Sequence, residues 1–391
     1  MISYLSKASR KSLVGTALLR LDFNTEDNWR MEAALPTIKF LLRVAEKIVI
    51  VSHRGRPSFA PTSPRLRWAS KVSADKSKGK PNPSLENKKL SLRRDAVNLQ
   101  KLLRKRVIFI PHNDLGETKR IIDDLPRGSI FVLENIRFWR GEVENDPKFA
   151  HELAPLADFY VNDAFAVSHR ANASVTAITR FLPSYAGLEM EKEIEFLSRA
   201  VVRPRHPLVF ILGGAKAADK LGVIKYFKNK ADRFLLGGGP ANTILWMRGM
   251  DVKKSLRDKD KKDIKEMRQL IRFPKIALPE DFVWYEGAIV DFGLKTVKKF
   301  SEIIAGARMI VWSGPPGMID KAPYGRGTLL MAKAIVKNKH AFSVAGGGET
   351  VMFLKKYGLD KRFSFISTGG GAMVDFLAGK KLPGIEVLRR K

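Results

Sequence analysis

The stretch LVFILGGAKAADK (208–220) decides how the second half of the chain is interpreted. Five apolar residues lead into Gly213 and Gly214, and Lys216 and Lys220 follow at a spacing of four. A continuous apolar run is typical of a strand buried on both faces of a parallel sheet. If a helix begins directly after Gly214, the two lysines lie one turn apart on the same face. The pattern therefore predicts a strand, a glycine turn and a helix that presents two ammonium groups.

Similar apolar runs recur along the whole chain, separated by segments long enough for helices. The first half contains runs at residues 17–24, 46–53, 105–112, 128–138 and 157–165. The second half contains runs at residues 207–214, 233–239, 274–282, 308–317, 340–348 and 363–371. Buried strands that alternate with helices form parallel sheets covered on both faces. We therefore predict an α/β fold of two doubly wound, Rossmann-like parallel-sheet domains, joined by a helix and with a cleft between them.

Polar and basic residues lie where the predicted strands of the first half end, or just beyond. They are Asp22, Asn24, Arg30, His53, Arg56, Arg137, His169 and Arg170. Ligands of open α/β sheets bind beyond the carboxyl ends of the strands. Arginine offers bidentate hydrogen bonds to phosphate and carboxylate oxygens. The first half therefore predicts a site for a small, highly charged anion.

Glycines follow the predicted strands of the second half instead. They form a pair at 213–214 and triplets at 237–239, 346–348 and 369–371. Glycine lets the backbone approach a phosphate chain, and the N-terminus of a following helix donates N–H groups to anions. The spacing of a Walker loop, G-x-x-x-x-G-K-[ST], is absent. The second half therefore predicts a nucleotide site of another kind.

The composition excludes several kinds of chemistry. The chain of 391 residues contains no cysteine, which excludes disulfides, thiolate metal sites and a cysteine nucleophile. Its six histidines show neither H-x-H nor H-E-x-x-H spacing, so we expect no metal site built from protein ligands alone. The N-terminus lacks an apolar signal region, and no stretch approaches the ~18 apolar residues of a spanning helix. We therefore expect a cytoplasmic protein without a membrane partner.

The formal net charge of +31 is large for a metabolic enzyme. Residues 54–106 contain sixteen basic and three acidic residues, and the segment 69–89 within them has few apolar residues. We interpret this segment as an exposed basic loop. A charge run is more often a solvated surface than a nucleic-acid site, and no nucleic-acid motif accompanies this one. A protein that binds mainly polyanions such as nucleic acid stays the alternative from another functional class.

Thirteen ordered blocks of sequence resemble the signatures of the phosphoglycerate kinase family, nearly from end to end. They are RLDFN (20–24), AALPTIKF (33–40), SHRGRP (52–57), VLENIRF (132–138), YVNDAF (160–165), HRANAS (169–174), EMEKE (189–193), ILGGAKAADK (211–220), LGGG (236–239), LPEDF (278–282), VWSGPPG (311–317), GGGET (346–350) and ISTGGGA (366–372). The resemblance implies a phosphotransferase of glycolysis and gluconeogenesis with a carboxyl group as acceptor. It would transfer a phosphoryl group reversibly between 1,3-bisphosphoglycerate and ADP, giving 3-phosphoglycerate and ATP.

The resemblance also implies roles for individual residues. The glycerate substrate would be held by Asp22, Asn24, Arg30, His53, Arg56, Arg137, His169 and Arg170. The nucleotide would be bound by Gly214, Lys216, Lys220, Gly238, Ser313, Pro315, Asp320, Gly347, Gly348, Glu349 and Thr350. Arg30 and Lys216 would be catalytic, since they would neutralise the phosphoryl group in transfer. Mg²⁺ with ADP or ATP is the implied cofactor, and Glu349 would lie near it, directly or through water.

Several positions depart from the family pattern. Ser313 stands where asparagine is usual, Asp320 where glutamate is usual, and Glu349 where aspartate is usual. All three belong to the nucleotide side, so a phosphotransferase with altered nucleotide or metal preference stays a second alternative. We interpret Arg54 in SHRGRP, and the pair 166–167 after YVNDAF, as changes in packing.

The resemblance further implies how the chain is divided. We predict an N-terminal, glycerate-binding domain over residues 1–185, a connecting helix over 186–204 and a nucleotide-binding domain over 205–375. LPGIEVL (382–388) resembles the C-terminal segment of the family, so residues 376–391 would return to the N-terminal domain. The family resemblance favours a monomer, whereas the direction of net flux stays open.

Overall fold

The structure is a computed structural model that describes residues 1–57, 89–111, 114–321 and 324–389. The predicted basic loop at 69–89 therefore lies outside the described residues, apart from Lys89. None of the helices in the described part of the chain is both long enough and apolar enough to cross a membrane.

The chain forms two compact units. The first contains Met1–Lys192 together with Leu382–Lys391, and the second contains Glu193–Lys381. The division falls within the helix Leu188–Val202. The domain boundaries given above, at residues 185, 204 and 375, stay a prediction.

Besides short 3-10 helices, the described residues form fourteen strands and fourteen α-helices, numbered here in chain order. The strands are β1 (Thr16–Arg20), β2 (Lys47–Val51), β3 (Ile108–Ile110), β4 (Ile130–Leu133), β5 (Phe159–Asn162), β6 (Ser184–Ala186), β7 (Leu208–Leu212), β8 (Arg233–Leu236), β9 (Ile276–Ala277), β10 (Phe282–Tyr285), β11 (Ala288–Phe292), β12 (Met309–Ser313), β13 (Phe342–Gly346) and β14 (Phe365–Ser367). The helices are α1 (Trp29–Val44), α2 (Arg93–Leu103), α3 (Leu115–Asp124), α4 (Arg140–Val143), α5 (Pro147–Leu153), α6 (Leu188–Val202), α7 (Ala218–Phe227), α8 (Gly238–Met247), α9 (Lys261–Met267), α10 (Leu294–Gly306), α11 (Arg326–Lys337), α12 (Gly348–Lys356), α13 (Gly371–Leu377) and α14 (Pro383–Glu386).

The first unit contains a parallel sheet of six strands in the order β3-β4-β2-β1-β5-β6. Successive residues of its strands pack into different apolar clusters. Leu19 of β1 belongs to one cluster with Ile50, whereas Leu18 belongs to another with Val51. The sheet is therefore buried on both faces, as the continuous apolar runs predict. The C-terminal residues join this unit, since the Ser3 N–H donates to a carbonyl oxygen of residue 388 at 2.9 Å.

The second unit contains a parallel sheet of six strands in the order β14-β13-β12-β7-β8-β9. Trp312 of β12 is fully buried in an apolar cluster with Ile211. Three aromatic rings pack together elsewhere in the sheet, with the centroid of Phe210 4.5 Å from that of Phe227 and 5.6 Å from that of Phe234. This sheet too is apolar on both faces, because successive residues of β7 contribute to the two groups.

In the second sheet the chain moves outward from β7 to β9, and later fills the other side of β7 with β12 to β14. The loops that follow β7 and β12 therefore diverge at a topological switch point, where α/β sheets bind ligands. In the first sheet, β2 and β5 lie on opposite sides of β1, which creates a comparable position. Each sheet thus offers one favoured binding edge.

Each of the eleven predicted apolar runs overlaps a strand, and the α/β class with two parallel sheets is confirmed. The sequence did not predict β6 or the antiparallel pair of β10 and β11. Val283 and Trp284 of β10 are exposed, so no buried run marks this strand. The pair turns at Glu286 and Gly287, both with positive φ, as in a type I′ turn.

Candidate functional site

The loop after β1 places a carboxylate between two basic side chains. Asp22 Oδ2 accepts a hydrogen bond from Arg30 Nη1 at 2.8 Å, and its Oδ1 accepts the Asn24 N–H at 2.8 Å. His53, two residues after β2, has its Nε2 3.8 Å from Asp22 Oδ1. Because β1 and β2 are parallel neighbours, their carboxyl ends bring these residues together. Asp22 thereby orients Arg30.

Burial and neighbouring groups set the protonation states in this loop. Burial holds the pKa of His53 well below its ordinary value; the charge of Arg20 lowers it further, although Asp22 raises it. Burial raises the pKa of Asp22, but His53 in its protonated form, the charge of Arg30 and the hydrogen bond from the Asn24 N–H together outweigh this effect, so the pKa lies below its ordinary value. Near pH 7 the site therefore holds a neutral imidazole beside a charged carboxylate.

Three arginines bring positive charge to the same edge. Arg137 Nη1 donates to the carbonyl oxygen of Gly55 at 2.6 Å, which ties it to the loop after β2. Burial lowers the pKa of Arg137 to about 10, and the charges of Arg20 and Arg170 contribute. Burial and the charge of Arg56 lower the pKa of Arg170. An anion bound here would relieve the repulsion among these guanidinium groups.

The remaining predicted glycerate residues adjoin this cluster. The Gly55 N–H donates to Asn24 Oδ1 at 2.8 Å, which joins the loops after β1 and β2. Arg170 Nε donates to His169 Nε2 at 3.1 Å, and both side chains are half-buried. Arg56 is exposed. The structure therefore brings the eight predicted residues to one edge of the first sheet.

Glycines bring the loops after β7, β8 and β12 into backbone contact in the second unit. The Gly213 N–H donates to the carbonyl oxygen of Ser313 at 3.1 Å, and the Gly214 N–H to that of Pro315 at 2.8 Å. A Cβ added at Gly213 would lie 2.4 Å from the Pro315 oxygen, and one added at Gly238 would lie 2.7 Å from the Gly214 oxygen. Only glycine permits this approach at both positions.

The predicted placement of the two lysines on one helical face is wrong. Helix α7 begins at Ala218, so Lys216 precedes the helix and is exposed. The helix starts late because Gly214 turns the chain with φ of +93°, and because Asp258 Oδ2 accepts the Ala218 N–H at 2.9 Å. Lys220 lies in the first turn of α7, and its Nζ donates to Ser313 Oγ at 3.1 Å. Lys216 therefore extends from the loop before α7, and Lys220 extends from the first turn of the helix.

Burial lowers the pKa of Lys220, although the carboxylates of Asp219 and Glu349 oppose this effect. Gly347, with φ of +98°, precedes α12. Glu349 in the first turn of that helix is exposed, and Thr350 Oγ1 is buried without a hydrogen-bond partner among the described residues. Asp320 is exposed, and its contacts with the other described residues do not indicate a role. The glycine-lined edge thus contains one half-buried ammonium group and an exposed carboxylate.

A family model described as phosphoglycerate kinase matches residues 15–380 of the chain. The chain belongs to the phosphoglycerate kinase family. Proteins named phosphoglycerate kinase from Dictyoglomus turgidum and Acidobacterium capsulatum are 38% and 39% identical to it, over 96% and 95% of this chain and 95% and 96% of theirs. A phosphoglycerate kinase structure from Pyrococcus horikoshii matches at 30% identity with a TM-score of 0.82, over 99% of this chain and 98% of that one. Another, from Coxiella burnetii, matches at 29% identity with a TM-score of 0.76, over 99% of both chains.

A buried polar network adjoins the basic cluster, and the family resemblance did not predict it. Arg20 of β1 has its Nη2 3.3 Å from His53 Nδ1, and its Nε donates to Ser174 Oγ at 2.8 Å. Ser174 Oγ in turn donates to Glu142 Oε1 at 2.7 Å. The arginine within the apolar run ALLRL was the signal that could have revealed this network.

The interpretation of Arg54 as a change in packing is wrong. Its guanidinium donates to the carbonyl oxygens of Phe23 and Thr25 and to both carboxylate oxygens of Asp95. The pair 166–167 does pack, since both residues are buried and Val167 joins a small apolar cluster.

Among the described residues, no group of three or more histidine and acidic side chains is arranged to hold a metal ion. Mg²⁺ bound with a nucleotide commonly needs only one or two carboxylates, because phosphates and water complete the coordination. Glu349 is exposed and close enough to Lys220 to affect its pKa. The described residues therefore fit a Mg²⁺ ion that binds together with a nucleotide better than a Mg²⁺ ion that is held by protein ligands alone.

Proposed function

We propose that this chain catalyses reversible phosphoryl transfer between 1,3-bisphosphoglycerate and ADP, giving 3-phosphoglycerate and ATP. The family match over residues 15–380 carries this proposal. Two features of the structure support it: a basic cluster at one sheet edge and a glycine-lined edge at the other sheet. The first suits a small phosphorylated acid, and the second suits a nucleotide.

In the forward reaction, an oxygen of the ADP β-phosphate forms a bond to the phosphorus atom, and the bond from phosphorus to the carboxyl oxygen breaks. The leaving group is the carboxylate of 3-phosphoglycerate. No general base is needed, because the attacking oxygen is already ionised. The protein therefore contributes position and positive charge rather than proton transfer.

On the glycerate side, the arginines at positions 30, 56, 137 and 170 would bind the anionic groups of the substrate. Asp22 would keep Arg30 in place through the 2.8 Å hydrogen bond. The neutral His53 would hydrogen-bond to the substrate without adding charge. Arg30 would neutralise charge on the phosphoryl group during transfer.

On the nucleotide side, we assign Lys216 to the transferring phosphoryl group and Lys220 to the α-phosphate. Lys216 is exposed and precedes α7, so its side chain is free to follow the phosphate. Asp320 would reach the ribose hydroxyls. When bound, Mg²⁺ would supply further positive charge to the phosphate oxygens, and Glu349 would hold it directly or through water.

Three substitutions support altered nucleotide or metal preference as a second proposal. Ser313, in place of the usual asparagine, receives a hydrogen bond from Lys220. Asp320 is one methylene shorter than the usual glutamate, and Glu349 one methylene longer than the usual aspartate. The family match favours the kinase over the polyanion-binding alternative. A cytoplasmic monomer stays a prediction.

ATP formation from ADP and 1,3-bisphosphoglycerate with Mg²⁺ tests the proposal. GDP and Mn²⁺ run in parallel measure nucleotide and metal preference. We expect turnover that falls at least about 100-fold in Lys216→Ala, as for the loss of one electrostatic contact to the reacting group. Lys361→Ala, which removes another exposed lysine of the second unit, serves as the matched control. No turnover by folded protein with any nucleotide or metal would refute the proposed function.

A further inference from the structure

Arg54 joins three segments of the first unit. Its Nη1 donates to the Thr25 carbonyl oxygen at 3.0 Å, and its Nη2 donates to the Phe23 carbonyl oxygen at 2.9 Å. The same side chain forms a bidentate pair with Asp95 of α2, through Nε at 3.1 Å and Nη2 at 2.6 Å. All three guanidinium nitrogens are therefore used, in the planar geometry that arginine provides.

The two carbonyl groups belong to the loop that carries Asp22 and Asn24, and Arg30 lies just after this loop, in the first turn of α1. This loop follows β1 and precedes α1, so hydrogen bonds of regular structure do not fix it. Phe23 and Thr25 flank Asn24 directly in sequence. A clamp on these two carbonyls therefore restricts the backbone on both sides of Asn24.

The clamp is itself anchored at both ends. The Arg54 carbonyl oxygen accepts a hydrogen bond from Asn135 Nδ2 at 2.8 Å. Asp95 is 2% exposed, and burial raises its pKa, while the hydrogen bond and charge of Arg54 oppose that rise. A buried carboxylate needs such a partner, so the pair stays together. Arg54 thus links the glycerate loop to a fixed point on α2.

We propose that Arg54 is a positioning residue for the glycerate side of the site. It acts through the backbone of residues 23–25 to hold Asp22, Asn24 and Arg30 in the arrangement that binds substrate. This inference rests on the proposed function, because it assumes that these residues bind the phosphorylated acid. A side chain that only fills space would not direct its donors at two carbonyl groups of one loop.

The test separates position from stability with four variants. Arg54→Leu alone would leave Asp95 buried and unpaired, so the main variant combines Arg54→Leu with Asp95→Asn. Asp95→Asn alone keeps one oxygen that accepts a hydrogen bond from Arg54, and it leaves Arg54 able to hold both carbonyls. Arg54→Lys keeps the charge but not the planar fork. Arg127→Leu removes an exposed arginine paired with Glu46 at 3.3 Å and is the control for charge.

We expect the double variant to raise the KM for 3-phosphoglycerate at least tenfold, with the KM for ATP changed less than twofold. Arg54→Lys should have an intermediate effect, and Asp95→Asn and Arg127→Leu should stay within twofold of the parent protein. Amide hydrogen exchange, which needs no activity, should accelerate over residues 22–30 in the double variant and to a lesser extent in Arg54→Lys, but not in Asp95→Asn or Arg127→Leu. An unchanged KM for 3-phosphoglycerate in a folded double variant would overturn the proposal.

The two proposals fail in different ways. If the parent protein has no turnover and binds no 3-phosphoglycerate, the proposed function fails, whatever the exchange of residues 22–30. If the parent protein is active and the double variant keeps its KM, only the role of Arg54 fails. If the double variant does not fold, Arg54→Lys decides: a normal KM for 3-phosphoglycerate in that variant contradicts the clamp.

Discussion

Arg20 Nη2 lies 3.8 Å from Glu142 Oε1, and both side chains are fully buried. Glu142 also accepts the Ser174 N–H at 2.7 Å through its second oxygen. Burial raises the pKa of Glu142, although the charge of Arg20 opposes the rise. Because Arg20 also contacts His53, the pair connects the interior of the first unit to its candidate substrate site.

Removal of one member of this pair is expected to be costly. Glu142→Ala should lower the free energy of unfolding by about 3–5 kcal/mol, because Arg20 would remain as an uncompensated buried charge. Glu144→Ala is the control, since Glu144 forms an exposed pair with Arg140 at 2.5 Å. That variant should change stability by less than about 1 kcal/mol. Urea unfolding at pH 7 measures both, and similar losses in the two variants would contradict this account.

Asp163 makes the stability of the first unit depend on pH. Its Oδ1 accepts the N–H groups of Glu189 and Met190 at 2.9 and 3.0 Å, at the start of α6. Burial raises its pKa from 3.8 to about 6. The native protein therefore holds this proton more tightly than the unfolded chain does, and the resulting stability is present in full below pH 3.8 and lost as the pH rises through about 6.

We expect Asp163→Asn to abolish this loss while keeping an oxygen for the two N–H groups. A shift of about two units corresponds to roughly 3 kcal/mol. The stability of the variant relative to the parent protein should therefore increase by up to that amount between pH 4 and pH 7. Urea unfolding at intervals of one pH unit measures the difference. A difference that is constant with pH would show that Asp163 does not titrate in this range.

Local sequence patterns were sufficient to predict the parallel strands. The run before Gly213 is apolar throughout, and β7 is buried at every position, so its burial could be predicted without knowledge of its partners. The glycine-lined edge could be predicted for the same reason, because glycine after a buried strand allows close backbone approach. These features depend on residues within a few positions of one another.

The start of α7 and the role of Arg54 depend on distant residues instead. Asp258 accepts the Ala218 N–H across 40 positions, and this contact helps to place Lys216 outside the helix. Arg54 finds its carboxylate partner 41 positions away, in Asp95. No local pattern identifies such partners. The sequence therefore predicts which residues belong to the candidate site. It does not predict the long-range contacts that position their side chains.

Gly213 is expected to be indispensable for the nucleotide side. A Cβ there would lie 2.4 Å from the Pro315 carbonyl oxygen, which is backbone and has little freedom to move. Gly213→Ala should therefore lower the free energy of unfolding by about 1–3 kcal/mol or more. It should also raise the KM for ATP more than the KM for 3-phosphoglycerate. Gly306→Ala is the matched control, since nothing lies within 4 Å of its added Cβ. Thermal unfolding and steady-state kinetics measure the two effects, and equal behaviour of the variants would argue against the close contact.

His53 gives a dependence on pH of the opposite sign to that of Asp163. Because its native pKa lies well below the ordinary value of 6.5, protonation favours the unfolded chain, and the associated stability is present above pH 6.5 and lost as the pH falls. His53→Gln should reduce the loss of stability between pH 6.5 and pH 5. His340→Gln, at an exposed position, should leave this loss unchanged. NMR titration of the imidazole in the parent protein measures the same property directly. A His53 resonance that titrates near pH 6.5 would contradict the lowered pKa and the dependence of stability on pH that follows from it.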